Sequence, residues 1–281
     1  MKKLQLVFIC SFLLISTHGF SQSELTVDEI SEKMVNSISH ITTLKYGFKS
    51  TERIGKTYVK SYQEVKYAKN PLRFYLYSHF QDKGAEVLFN PIYSKDKVYV
   101  NPNGFPYYSL YLDPLGSILR KGKHHTLYEL GFDYFAGLLF NLKQKSEAYK
   151  NIKCTGTVNW NNTTCYKMEL QVTDYKILVY TVNEGETLTS IAEKFFVNDY
   201  RIMELNNLAS YTSIKAGQKI KVPNHYCKYF IVYVDKKTFL PVMQEMHDEE
   251  GMYERYEFID VKMNEKLEDK EFDKGNPAYK F

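Results

Sequence analysis

The sequence is poor in cysteine and in net charge, and each shortage excludes a class of protein. Among 281 residues there are four cysteines. Cys10 falls in a leading segment expected to be removed, which leaves Cys154, Cys165 and Cys227. An odd set allows at most one internal disulfide and one spare thiol, so a disulfide scaffold is excluded. The formal charge is +4, and removal of Lys2 and Lys3 brings it to 4 − 2 = +2, which gives no support to nucleic-acid binding. With 14 glycines and 8 prolines the chain is neither collagen-like nor of low complexity. Its longest apolar run, Leu4 to Ile15, is too short to span a bilayer. Enzyme signatures are missing as well. There is no Gly-x-Ser-x-Gly elbow and no His-Glu-x-x-His, and Gly55-Lys56-Thr57 has Ser50 where a phosphate loop needs its first glycine.

What is present is apolar and aromatic material, 44% and 16% of residues, ample for a core. Met1-Lys2-Lys3, the Leu4–Ile15 run and Gly19-Phe20-Ser21 read together as a secretory signal peptide over 1–21, so an exported, soluble mature chain is expected. Bulky Phe8-Ile9 before Cys10 argues against lipidation there.

Thr26-Val27-Asp28-Glu29 is a capping box, and Ile30, Met34, Ile38 and Ile41 continue at helical spacing. From residue 45 the pattern turns to short Tyr-, Val- and Phe-rich segments bounded by Gly, Asn and Pro. Antiparallel strands are expected at 45–54, 57–67, 72–79, 86–90 and 97–100. In one of them Leu72, Phe74 and Leu76 point one way while Tyr75 and Tyr77 point the other, so both faces should be covered, the second by helices or by an apolar ligand. Residues 101–131 read as irregular, 132–145 as a helix, and strands resume at 152–160 and 164–180. They return at 229–234 and 252–263 after a block at 180–224. An Asn161-Asn162 hairpin would set Cys154 opposite Glu169, so no Cys154–Cys165 bridge is expected. Charge is uneven, with 18 Lys/Arg against 9 Asp/Glu over 44–153 and 4 against 12 over 245–273. Pairing of strands from the two parts would cancel some of this internally.

The block at 180–224 is the most specific stretch. Tyr180-Thr181-Val182, Gly185-Glu186-Thr187-Leu188, Ile191-Ala192, Phe195, Ile202, Leu205-Asn206-Asn207-Leu208, Ile214, Gly217-Gln218, Ile220 and Val222-Pro223 spell a strand, a helix, a second helix and a returning strand. Thr187 and Asn198 are candidate helix caps. The block resembles the LysM family of lysin-motif modules, which bind N-acetylglucosamine-containing glycans, chiefly peptidoglycan. The resemblance implies a shallow groove with Gly185, Glu186, Thr187 and Leu188 on one side and Asn207, Leu208 and Ile214 on the other. Two positions depart from the family: Glu186 stands for the commoner Asp, and Phe196 for a frequent helix-ending Gly, where positive φ would strain a phenylalanine.

The flanking parts resemble proteins related to the LolA lipoprotein carriers, and more closely an uncharacterised exported family of that superfamily. The likeness rests on Val234-Asp235-Lys236-Lys237-Thr238-Phe239-Leu240-Pro241-Val242, His247-Asp248, Gly251, Tyr253, Tyr256-Glu257-Phe258, Asn264, Phe272 and the ending Asn276–Phe281. Asp235–Thr238 reads as a hairpin turn with Pro241 near a sheet edge. The resemblance implies an α+β fold: a strongly curved antiparallel half-barrel with covering helices over 22–178 and 226–281, with a βααβ LysM domain inserted at 179–225. It also implies a periplasmic setting. The expected function is non-enzymatic binding of peptidoglycan or a related polymer by the LysM module, with a host that can hold a lipid or acyl chain. The alternative is a lipid or lipoprotein carrier in which the LysM is a structural insert. A wall hydrolase lacks a catalytic constellation. No metal or cofactor is expected: His124-His125 sits among cationic neighbours and suits packing, and Cys227 beside His225 lies at the module's exit.

Overall fold

A computed structural model describes residues 25–145 and 147–281; the expected signal peptide and Cys10 lie outside the described residues. Helix α1 (Val27–Ser39) starts where Thr26 accepts the amide of Glu29 and the Glu29 carboxylate accepts the amide of Thr26. There follow β1 (Thr43–Ile54), β2 (Thr57–Ala68), β3 (Arg73–Phe80), β4 (Glu86–Phe89), α2 (Pro91–Ser94), β5 (Val98–Asn101) and β6 (Leu110–Leu112). After α3 (Ser117–Arg120) and α4 (Asp133–Lys145) come β7 (Lys153–Trp160) and β8 (Thr163–Gln171). The block then forms β9 (Ile177–Thr181), α5 (Leu188–Phe195), α6 (Asp199–Leu205) and β10 (Lys219–Pro223), and β11 (Tyr229–Asp235), β12 (Pro241–Asp248) and β13 (Gly251–Met263) close the order.

Eleven strands make one curved antiparallel sheet in the order β6-β5-β4-β3-β2-β1-β13-β12-β11-β8-β7, and β9 pairs only with β10. The edges β6 and β7 do not pair with each other, so the sheet is unclosed. This is the α+β class expected: a curved half-barrel with covering helices and a small βααβ unit. Strands β8 and β11 are direct neighbours, Tyr229 facing Gln171, and the ladder is prolonged by the amide of Val172 donating to the carbonyl of Lys228. The βααβ unit has its own core of Val182, Leu188, Ile191, Ala192, Val197, Ile202, Ile220 and Val222.

Four local expectations change. The 164–180 segment is two strands, since β8 ends at Gln171 and β9 belongs to the small sheet. A bulge at Gly156 shifts the β7–β8 register, so Cys154 faces Met168 and Cys165 faces Val158; all three cysteines are free. Pro241 opens β12, an interior strand, where its missing N–H is tolerated at the first position beside a register shift. The outer face of β3, where the sequence predicts helices or an apolar ligand, is covered by the C-terminal tail with its short 3-10 turn Asp269–Phe272. Tyr279 stacks on Tyr75 at 3.8 Å, and fully buried Phe272 packs with Ala68, Tyr75 and Leu88. Lys66–Glu271 (3.0 Å) and Arg73–Asp269 (2.7 Å) cancel part of the charge imbalance there.

Candidate functional site

The inward side chains of the central strands change character along each strand. On β1 they run Leu44, Tyr46, Phe48, Ser50, Glu52; on β13, Phe258, Tyr256, Glu254; on β2, Tyr67, Val65, Gln63, Ser61; on β3, Phe74, Leu76, Ser78. Because Phe48 faces both Phe258 and Gln63, and Ser50 faces both Tyr256 and Ser61, the polar residues of neighbouring strands fall at one end. These rows line a cavity of about 620 Å³, closed on the other side by Leu119, Leu127, Leu130, Tyr134 and Phe135. It is apolar at one end and polar at the other, and of a size that holds small ligands.

The polar end carries a buried charge cluster. Glu254 is 1% exposed and accepts from Tyr226 Oη (2.6 Å), with His124 Nδ1 at 2.8 Å and His125 Nε2 at 3.6 Å. His125 Nδ1 lies 3.1 Å from Glu129. Burial alone would lower the pKa of His125, but the charges of Glu254 and Glu129 outweigh it and hold it well above the ordinary value. Burial likewise works against ionised Glu254 and is outweighed by His125 and His124, so its carboxyl lies far below the usual range. Glu52, 3% exposed, accepts from Tyr256 Oη (2.6 Å) and the His124 amide (3.3 Å), both on Oε1. Its Oε2 has no hydrogen-bond partner among the described residues.

The βααβ unit is docked beside this cluster. The Arg120 guanidinium forks onto Asp199 at 3.0 and 2.6 Å and lies over the Tyr211 ring at 3.6 Å. Asn198, which caps α6, donates to the His124 carbonyl (3.0 Å), and the His124 ring is stacked between Tyr200 (4.9 Å) and Tyr253 (4.0 Å). Arg201 reaches Asp248 (3.1 Å) and Glu249 (2.7 Å), and Asp248 also binds Arg53. His124 and His125 are thus packing and charge-balancing groups, and among the described residues no three His, Cys, Asp or Glu are placed to hold a metal. Cys227 and His225 are not a reactive pair. The Cys227 thiol faces Met246, with its pKa pushed up by burial, and His225 bonds Asp174 at 3.0 Å.

Within the βααβ unit, Gly185 turns with φ 78° ahead of α5, and Thr187 caps that helix by accepting the Ser190 amide at 3.1 Å. Glu186 is folded back. It accepts from the Asn183 amide (2.8 Å) and Tyr180 Oη (2.7 Å), with Lys194 at 3.3 Å, and these hold its pKa near 2. Phe196 sits in the left-handed region at φ 54°, so the turn keeps the geometry a glycine would have eased.

Residues 180–223 match the family model of the LysM domain. Residues 41–177, in the host, match a second model described as a protein of unknown function (DUF1571). No curated protein matches the chain. Among solved structures, similarity extends to the lipoprotein LppX of Mycobacterium tuberculosis (11% identity, 86% of this chain and 99% of that one, TM-score 0.41). It extends also to a LolA superfamily protein of Nitrosomonas europaea (11%, 89% and 98%, 0.34) and a DUF1329 family protein of Desulfovibrio piger (8%, 90% and 99%, 0.35).

Of the LysM positions singled out in the sequence, Gly185, Thr187 and Asn207 are exposed, Glu186, Leu208 and Ile214 are half-buried, and Leu188 is fully buried in the module's core. The neighbouring Asn206 is structural: it donates to the carbonyls of Ile202 and Lys221 and accepts the Lys221 amide, pinning α6 to β10. Sequence reasoning missed Glu52 and Glu254. The signal was there in Tyr46-x-Phe48-x-Ser50-x-Glu52, a β alternation whose inward row ends in a carboxylate.

Proposed function

We propose that this is a non-enzymatic envelope protein that holds peptidoglycan, or a related N-acetylglucosamine polymer, through its LysM domain, while the host holds an apolar or amphiphilic molecule. The reading places the protein in the periplasm after export, with a host of 22–178 and 226–281 and an inserted module of 179–225. The LysM match over 180–223 carries the glycan half. Its groove would lie between Gly185, Glu186, Thr187 and Leu188 and the segment with Asn207, Leu208 and Ile214. Leu188 would contribute through backbone and shape rather than side-chain contact, because it is buried. The module's joints to the host run through Asn198, Asp199, Tyr200, Arg201 and Tyr211, while Gly185, Thr187 and Asn207 stay exposed, which supports an accessible groove.

A single copy offers little contact area, so binding to short fragments should be weak and should rise on polymeric wall, where rebinding raises the effective concentration. The test is co-sedimentation of mature protein with insoluble peptidoglycan at low salt: a pelleted fraction supports the reading, and protein left wholly in the supernatant removes it. Asn207→Gly is the diagnostic variant, since Asn207 has φ 49° and glycine takes that backbone without strain. Thr187→Ala would also uncap α5, confusing binding with stability.

The cavity of about 620 Å³ favours the second half of the reading. Displacement of a bound apolar fluorophore by fatty acids and alcohols tests it, and native mass spectrometry of protein purified from its own envelope would reveal a resident molecule.

A further inference from the structure

We propose that the host cavity receives an amphiphile whose head is a protonated amine, seated against Glu52, with its tail along Phe48, Tyr46, Leu76 and Phe258. The inference rests on the reading that the cavity takes a ligand and names the chemistry of that ligand's head. Three observations carry it. Glu52 is 97% buried, since its exposure is 3%, it lines the cavity, and its Oε2 has no donor among the described residues. A buried acceptor without a donor costs free energy that a ligand donor would recover. Glu52 also stands directly opposite Glu254 in the β1–β13 ladder, and like charges in register repel. Finally, the donors that do bond Glu52, the Tyr256 hydroxyl and the His124 amide, are neutral and both sit on Oε1.

Glu52, Asp82, Glu129 and Glu254 line the cavity, and the half-buried His125 sits between Glu254 and Glu129. Arg53 is occupied by Asp248, and the exposed Lys121 and half-buried Lys123 also line the cavity. A hydroxyl head would supply one hydrogen to Oε2 and no charge. An ammonium supplies both, and its remaining N–H groups can reach acceptors such as the Ser50 and Ser61 hydroxyls, which lie one inward position back and bond each other at 2.7 Å. The tail direction follows from the strands, because the inward rows of β1, β2, β3 and β13 become apolar away from Glu52, with Gln244 of β12 the polar exception beside Tyr256.

The test compares dodecylamine, dodecanol and laurate, each below its micelle concentration, by displacement of an apolar fluorophore from the full mature chain, with a melting curve to confirm that it stays folded. Dodecylamine should bind at least about ten-fold tighter than dodecanol, and laurate most weakly. Glu52→Gln keeps the shape of the site and should bring amine and alcohol to within about two-fold of each other, with the larger loss falling on dodecylamine. Equal binding of amine and alcohol by the unaltered protein, or an amine preference that survives in Glu52→Gln, would overturn the proposal while leaving the cavity reading intact. Failure of all three probes would remove both. The mature chain has net charge +2, so general surface attraction does not favour the amine.

Discussion

Glu52 and Glu254 are Cα partners across the β1–β13 ladder, and their carboxylates share one buried face with a single tyrosine, Tyr256, between them. Tyr256 Oη lies 2.6 Å from Glu52 and 3.1 Å from Glu254, and one hydroxyl hydrogen serves one of them at a time. The two acids are therefore unequal. Glu254 is surrounded by Tyr226, His124 and His125, whereas Glu52 is bonded on one oxygen and has no partner among the described residues on the other.

Neutralising the two should have opposite effects. Glu254→Gln leaves His125 facing one carboxylate where it had two and should destabilise by about 3–5 kcal/mol, the usual cost of breaking a buried charged set. Glu52→Gln removes a repulsion and keeps the Tyr256 bond, so stability should hold or rise by up to about 1 kcal/mol. Urea denaturation of both variants checks this. A large loss in Glu52→Gln would mean that Glu52 is already paired.

The LysM domain should be separable but not indifferent to its host. The hairpin of β8 and β11 closes without it, so replacing 180–224 by a short Asn-Gly turn should leave a cooperative β-sheet melt. That melt should come at lower temperature, because Arg120 loses Asp199, His124 loses the Tyr200 ring, and Asp248 keeps only Arg53 of its two buried arginines. In the intact chain, a double-mutant cycle on Arg120→Ala and Asp199→Ala should give a coupling of about 1–3 kcal/mol. Coupling near zero would show a loosely attached module.

Much of this was legible in the sequence, because it depended on local pattern. The capping box at Thr26, the strands at 45–54 and 57–67 and the βααβ block are each written in neighbouring residues, and the structure has them within two residues or so. What could not be read depended on register and on contacts far apart in the chain. The Gly156 bulge moved Cys154 by one place, and the tail that covers Tyr75 lies some two hundred residues downstream of it. The carboxylate pair needed knowledge that β1 lies beside β13, and the docking of Arg120 on Asp199 needed the orientation of a domain that its own sequence does not specify.

The tail should therefore matter to stability out of proportion to its irregular appearance. Phe272→Ala empties a fully buried site under Arg73 and should cost about 3–5 kcal/mol. A chain ending at residue 266 should bare Tyr75 and Leu88 and gain affinity for apolar dyes. Wild-type-like melting of the shortened chain would contradict the role given to the tail.

The charge cluster also sets a pH window. Glu254 and Glu129 are held below their ordinary value of 4.5, so their contribution is complete above 4.5 and is lost as pH falls through the folded values. Glu169, held near 2 chiefly by Tyr229, adds to the same acid limb. His125 has the opposite sign: its folded value lies above 6.5, so its contribution is complete below 6.5 and is lost as pH rises through that value. Stability should therefore be greatest between pH 4.5 and 6.5, with respect to these groups, and decline on both sides. Urea midpoints between about pH 3 and about pH 9 would trace the curve. His125→Gln should flatten the alkaline limb while keeping an acid one, since His124 and Glu169 with Tyr229 remain. An alkaline limb of unchanged steepness in that variant would mean that some other group, and not the His125 imidazolium, balances Glu254.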